Sequence, residues 1–278
     1  MYYDLHIHST ASDGTMSPGR ILQIAADIGL PGIALTDHDT LAGLAPAEEY
    51  LADQGLTIQF IPGIELNTDS GESELHILGY FIQHRNSPIQ QHLEKIKAAR
   101  YDRAVKMVER LRSMGLNINF DRVQAVARGD LIGRPHVAQA LIEKGYVFSI
   151  KEAFQKYIGR GRPGYVPRYK FAPEEAIELV HRAGGISILA HPGLIKEQEK
   201  IQEMMEMGIE GLEVYYPEHT EKQVQHYYQL AREHNLLITG GSDFHGTGHM
   251  ESRGRLGCAG LNQELFDELI TFRNDHNK

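Results

Sequence analysis

The chain has 278 residues, with 28 Lys+Arg against 37 Asp+Glu and a formal net charge of −9. That length suits one large domain or two small ones, and the acidic balance argues against a protein that tracks long duplex nucleic acid by neutralising phosphates. A single cysteine, Cys258, excludes an intramolecular disulfide and fits a reducing, cytoplasmic compartment, and no stretch approaches the roughly 18 unbroken apolar residues of a membrane span.

The opening Met1-Tyr2-Tyr3-Asp4 has no basic region leading into an apolar run, so no signal peptide is expected. In chain order, apolar runs of strand length are predicted at residues 3–7, 32–36, 57–62, 75–82, 186–190, 211–215 and 237–240. Helical patterns fall between most of them. One opens at Ser17-Pro18, a serine cap before a first-turn proline. Another opens at Pro173-Glu174-Glu175, with acids suited to the helix dipole. The polar connection 66–74 is too short for a parallel crossover, so 57–82 is predicted as an antiparallel hairpin inside an otherwise parallel α/β barrel of seven strands. Between His84 and Pro167 no strand pattern occurs. A long charged helix from Ile89, shorter helical stretches and a Gly/Arg/Pro loop predict a helical insertion. The expected organisation is a discontinuous barrel, 1–84 and 167–278, with an inserted unit at 85–166.

Fifteen histidines are accounted for by position. His6-Ile7-His8 ends the first strand, and residues two apart on a strand face the same side. In a parallel barrel such ends face the active-site mouth. Two ordinary histidines would look the same, but polar residues recur at equivalent places: Asp13 after the first strand, Thr36-Asp37-His38-Asp39 after the second, Glu65 at the end of the third. His76 is expected to begin the return strand of the hairpin, and His191 and Asp243-Phe244-His245 follow the fifth and seventh strands. Nine nitrogen and oxygen ligands without a thiolate exceed the needs of one four-coordinate ion and suit two or three ions of the Zn, Mn or Fe type.

This set resembles the PHP family, named for polymerase and histidinol phosphatase, over the whole chain. The resemblance implies a distorted seven-stranded barrel with a trinuclear metal centre, manganese above zinc or iron. His6, His8, Glu65 and Asp243 would hold the first ion. Glu65, His76 and His191 would hold the second, and Asp13, His38 and His245 the third. Glu65, Asp243 and His245 are the expected catalytic residues. Gly133-Arg134-Pro135-His136 in the insertion, with Arg100-Tyr101-Asp102-Arg103, is most similar to family members that hydrolyse nucleoside 3′,5′-bisphosphates or trim short RNA from the 5′ end. Arg100 and Arg103 share a helix face and guanidinium groups bind phosphate bidentately. Arg100, Arg103, Arg134 and His136, with Asp13 and His38, are therefore the expected substrate contacts. The implied activity removes the 3′-phosphate of a nucleoside 3′,5′-bisphosphate with water activated between two ions. The implied partner is a small phosphorylated nucleotide or short oligonucleotide, with no membrane and no long duplex. A 5′–3′ exoribonuclease or a histidinol-phosphate-type monoesterase are the near alternatives. An amidohydrolase or a non-catalytic metal-binding module are the distant ones.

Other features carry less. Gly159-Arg160-Gly161-Arg162-Pro163-Gly164 matches G-x-G-x-x-G but follows no strand and contains a proline, so it reads as a loop offering Arg160 or Lys170 to substrate rather than a dinucleotide site. There is no Walker A lysine motif and no G-x-S-x-G elbow. His84, His92, His181, His219 and the remaining histidines read as surface or helix residues.

Overall fold

The computed structural model describes residues 2–71, 73–85, 87–127, 131–246 and 254–276. α1 (Pro18–Asp27) leads to β1 (Gly32–Leu35), and α2 (Leu44–Gln54) leads to the long strand β2 (Gln59–Ser70), which turns back as β3 (Ser73–Tyr80). Helices α3 (Ser87–Ser113), α4 (Phe120–Ala127), α5 (Arg134–Glu143) and α6 (Ile150–Ala153) follow, the last running into a π-helical turn at Phe154–Ile158. α7 (Pro173–Arg182) then returns the chain to β4 (Ile186–Leu189), α8 (Glu199–Glu206), β5 (Gly211–Tyr215), α9 (Glu221–Glu233), β6 (Leu237–Gly240) and α10 (Gln263–His276).

The six strands form one mixed sheet in chain order. β1 and β2 are parallel, β3 runs antiparallel to both β2 and β4, and β4, β5 and β6 are parallel. The antiparallel hairpin is thus where its short connection placed it. The connection itself is tighter than expected, because pairing continues to Ser70 opposite Ser73. His76 consequently lies within β3 rather than at its start.

The segment predicted as a first strand is extended but irregular. It bridges Asp4 to Ile33 of β1 and Ile7 to Phe244, beyond β6. Asp4 N–H donates to Gly32 O and Leu5 N–H to Gly240 O, so the segment lies between the two outer strands. Side chains interrupt its ladder: the Ile7 N–H donates to the Thr36 hydroxyl at 3.1 Å and the Asp4 carboxylate lies 3.4 Å from the His6 amide. Side-chain acceptors that replace main-chain partners break a strand in this way. At its start Tyr3 exchanges both backbone hydrogen bonds with Leu261 and stacks on Phe266, ring centroids 3.7 Å apart.

Caps appear where the residue types put them. Ser17 accepts from the Arg20 N–H at the start of α1, and Thr220 and Gln223 form a reciprocal capping box at α9. Ile64, Leu78, Ile188 and Leu212 belong to the main apolar core. Helices α3 to α6 surround a separate cluster that includes Met107, Leu111, Val137, Leu141 and Ile158. Among the described residues of 87–166 there is no strand.

Candidate metal centre

All nine expected ligands converge. In the β2–β3 hairpin Glu65 pairs with Leu78 and Asn67 with His76, so Glu65 and His76 are diagonal neighbours on one face. Glu65 is the hub: Oε1 lies 2.7 Å from His76 Nδ1 and 3.3 Å from His191 Nε2. Oε2 lies 2.8 Å from His38 Nδ1, 3.2 Å from His8 Nε2 and 3.3 Å from His6 Nε2. Asp243 Oδ1 is 3.1 Å from His8 Nε2 and 3.5 Å from His6 Nε2, and Asp13 Oδ1 is 3.2 Å from His245 Nε2. The ligand atoms fall into three overlapping groups, each within 4.8 Å: His6, His8 and Asp243; His38, Glu65 and His76; His8, Asp13, His38 and His245. The grouping differs from the expected partition at four residues. His8 and His38 each belong to two groups, Glu65 belongs to one instead of two, and His191 touches Glu65 yet stands outside all three.

The donor chemistry fits cations. A Glu213 carboxylate oxygen lies 2.9 Å from His6 Nδ1, and the His6 Nδ1–H donates to it. In a neutral ring this leaves the His6 Nε2 lone pair facing Glu65 and Asp243. His245 Nδ1–H likewise donates to the Asp243 carbonyl at 2.8 Å, which turns the other lone pair onto Asp13. His6 Nε2, both ring nitrogens of His8 and Glu65 Oε2 are buried without a hydrogen-bond partner. Electron-pair donors that face one another in a buried space lack only a positive charge between them.

The same crowding shifts the titrations. Burial alone would raise Glu65, but His38, His6 and His76 outweigh it and hold the carboxyl well below the usual range. Asp13 is held well below its range against burial by His245 and His38. His76, which burial would lower, is brought up to about 9 by Glu65 and Glu74. Protons here occupy positions that divalent ions would contest.

Backbone strain concentrates at the rim. Asp39, His191 and Asp243 adopt φ of 50°, 31° and 52°, a left-handed region costly for residues with a Cβ. Gly241 shows the closeness of packing, since a Cβ there would lie 2.3 Å from the His6 nitrogen.

Glu213, which the sequence reading does not name, supports this rim together with Tyr216, Asp37 and His219. Glu213 is fully buried, and its second oxygen accepts from the His191 N–H at 2.8 Å. A bulge between Glu213 and Tyr215 of β5 shifts the strand's alternation, so Tyr216 rather than Tyr215 faces the ligands. Its hydroxyl donates to Asp243 Oδ2 at 2.9 Å. Asp37 accepts from the Ser9 N–H and from the hydroxyls of Ser9 and Ser12 at 2.6–2.7 Å, which fixes the loop that carries Asp13. His219 is no simple surface residue, because the Gly193 N–H donates to its Nε2 at 3.0 Å beside His191.

A cleft of about 900 Å³ opens from this rim, lined by Asp13, His38 and His76 together with Arg100, Arg103, Arg134 and Phe154. Arg100 pairs with Asp39 and so is not a solvated face residue. Arg103 donates to the Val166 carbonyl at 2.8 Å; burial, then the neighbouring Arg134 and Arg100 cations, lower it to about 10. The loop contributes Arg168, held by Asp69 and Glu74, in place of the expected Arg160 or Lys170, neither of which lines the cleft. His136 lies elsewhere. It caps α5 by accepting from the Gly133 N–H at 3.0 Å, and it lines a second cavity of about 550 Å³ with Asp13 and His245.

The sequence profile of the PHP domain matches residues 4–183. The chain is 35% identical over 248 residues to the 5′-3′ exoribonuclease Rnm of Escherichia coli, covering 87% of this chain and 85% of that one. It is 32% identical over 251 residues to the 3′,5′-nucleoside bisphosphate phosphatase of Chromobacterium violaceum, with 88% and 87% covered. A crystal structure from Bifidobacterium adolescentis, described as an inferred metal-dependent phosphoesterase, superposes with a TM-score of 0.87 at 32% identity over 97% of this chain and 95% of that one.

Proposed function

The chain belongs to the PHP family and is a metal-dependent phosphoesterase, and we propose that it removes the 3′-phosphate of nucleoside 3′,5′-bisphosphates. The observation that carries this reading is the cleft. Its lining combines imidazoles and carboxylates of the rim with Arg100, Arg103 and Arg134. One phosphate engages the rim, and the second phosphate of a bisphosphate engages the arginines. The lowered Arg103, crowded by two other cations, gains most from an anion placed among them.

In this reading the irregular first segment closes the sheet as a seventh strand of the barrel, and residues 85–166 form an inserted unit that carries the arginine wall. Nine residues hold two or three divalent ions: His6, His8, Asp13, His38, Glu65, His76, His191, Asp243 and His245. Manganese is favoured by the mixed imidazole and carboxylate set, with zinc or iron as alternatives. When bound, the ions act as Lewis acids and lower the pKa of water.

The chain's own residues do the rest. Arg134 and Arg103 hold the 5′-phosphate, and Phe154, whose ring centroid lies 5.0 Å from the Arg134 guanidinium, offers an apolar face to the nucleoside. Glu213 and Tyr216 orient His6 and Asp243. Glu65 and Asp243 keep the ligand atoms of several segments within one small volume, and His245 turns its Nε2 onto the same rim beside Asp13. A reducing, cytoplasmic location suits the single cysteine and a nucleotide substrate. Among the described residues no helix is long and apolar enough to cross a membrane.

The test is a substrate panel on metal-reconstituted protein: a nucleoside 3′,5′-bisphosphate, a 3′-monophosphate, histidinol phosphate and an amide. The bisphosphate should give the highest kcat/KM. Equal turnover of the 3′-monophosphate would remove the role given to the arginine wall.

A further inference from the structure

We infer that Glu74 is a positioning residue that joins the metal rim to the arginines of the cleft. Its carboxylate exchanges between His76 and Arg134, so that an ion at the rim and a phosphate on Arg134 each favour the binding of the other. The inference rests on the reading above for Arg134 and adds the residue through which the rim senses it.

Glu74 and His76 lie two residues apart on β3 and project to one face of the hairpin. Asp69 pairs with Glu74 directly across that hairpin, and like charges so placed repel. Arg168 resolves the conflict. Its Nε lies 2.6 Å from Asp69 Oδ2 and its Nη1 2.8 Å from Glu74 Oε1, while Nη2 donates to the Thr68 carbonyl. The hairpin thus commits Arg168 and pins one oxygen of Glu74.

Two looser contacts remain. Glu74 Oε2 is 3.3 Å from Arg134 Nη2, longer than the roughly 2.7–2.9 Å of a firm charge-assisted hydrogen bond. Glu74 Oε1 is 3.7 Å from His76 Nε2, an ion-pair distance beyond hydrogen-bond reach. The Glu74 side chain is 43% exposed, so it has the freedom to move between them. Asp39, the acid on Arg100, lacks that freedom: it is buried and accepts from the backbone and side-chain amides of Asn67, both at 2.9 Å.

Both partners make opposing demands on this carboxylate. His76 Nδ1 lies 2.7 Å from Glu65 Oε1. A neutral ring that turns the Nδ1 lone pair to a cation beside Glu65 carries its proton on Nε2, the nitrogen that faces Glu74. A carboxylate on that proton fixes the ring and raises its basicity. Arg134 cannot give its whole fork to a phosphate while Glu74 holds one arm. Glu74 that closes on His76 therefore releases Arg134, and a phosphate that takes Arg134 releases Glu74 to His76. Such coupling is reciprocal.

The experiment measures Mn²⁺ affinity by chelator competition, with and without saturating adenosine 5′-monophosphate (AMP), the product of the proposed reaction. In wild type AMP should tighten Mn²⁺ binding about tenfold. Glu74→Gln should weaken Mn²⁺ about tenfold without AMP and shrink the AMP effect to within about twofold. Glu74→Asp, which keeps the charge but shortens the reach, should lose the AMP effect too. In a His76→Ala background Glu74→Gln should change Mn²⁺ affinity by less than about twofold, a dependence that a merely structural role does not produce. Wild-type Mn²⁺ affinity in Glu74→Gln overturns the inference. So does an AMP effect that survives both variants, and so does an equal loss from Glu74→Gln with and without His76. Wild type that fails to bind AMP at all would instead refute the reading of the arginines, and the His76 comparison would still decide whether Glu74 acts through that ring.

Discussion

Glu213 accepts the Nδ1 proton of His6 at 2.9 Å while its other oxygen takes the backbone N–H of His191. One buried carboxylate thus sets both a ring tautomer and the position of a second histidine just beyond the end of β4. Glu213→Gln keeps one acceptor and substitutes a donor for the other, so the His6 ring loses its orientation. Apparent metal affinity should fall about 10–100-fold, with the circular dichroism spectrum unchanged. Chelator competition measures this, and an unaltered affinity would reduce Glu213 to a packing residue.

Arg134 contacts Glu74 at 3.3 Å and faces the cleft. Arg134→Ala should raise KM for a bisphosphate with little change in kcat, because it removes binding common to ground and transition states. A charge-assisted contact of about 1.5–3 kcal/mol corresponds to a 10–100-fold change. A variant that loses kcat instead would place Arg134 in the chemistry.

Removal of the ions should cost stability as well as activity. Ligands that bind only the folded state at 100 times Kd contribute about 2.7 kcal/mol, so a chelator should lower Tm by at least a few degrees and restored metal should return it. Asp243→Ala should abolish turnover and diminish the chelator effect. Thermal unfolding with and without chelator checks both, and a Tm indifferent to chelator in wild type would contradict a resident metal centre.

His181 and Glu210 meet at 2.7 Å away from the rim. The hydrogen bond to Glu210 raises His181, with burial opposing in part. Glu210, which burial would raise, is held down by His181 and Ser187. The raised histidine contributes stability in full below its ordinary range and loses it as pH climbs through the elevated pKa. The lowered glutamate contributes above its ordinary range and loses it in acid. The pair therefore stabilises from about pH 5 up to that elevated value. The Tm difference between wild type and His181→Asn should be larger at pH 6 than at pH 9. Equal differences would show that the pair makes no charged contribution.

The convergence of the nine side chains is legible in the sequence because strand ends project side chains to one place, so short motifs far apart in sequence share a rim. What escaped has a physical reason in each case. Glu213 was an acid inside the apolar strand Gly211–Tyr215, a signal that a buried charge needs partners, but naming those partners requires the fold. Tyr216 reaches Asp243 only because of a bulge that no period-two pattern contains. His136 is grouped with Arg134 through the Gly133-Arg134-Pro135-His136 resemblance, yet it caps α5 and lines a different cavity. The first strand reads as an apolar run of strand length, and such a run cannot show that Thr36 and Asp4 side chains replace ladder partners.

The pairing of Tyr3 with Leu261 and the seating of the first segment beside β6 make the rim a product of long-range folding. His6 and His8 meet Glu213, Asp243 and His245 across most of the chain, so the full set of side chains comes together only when the first segment has packed against β6.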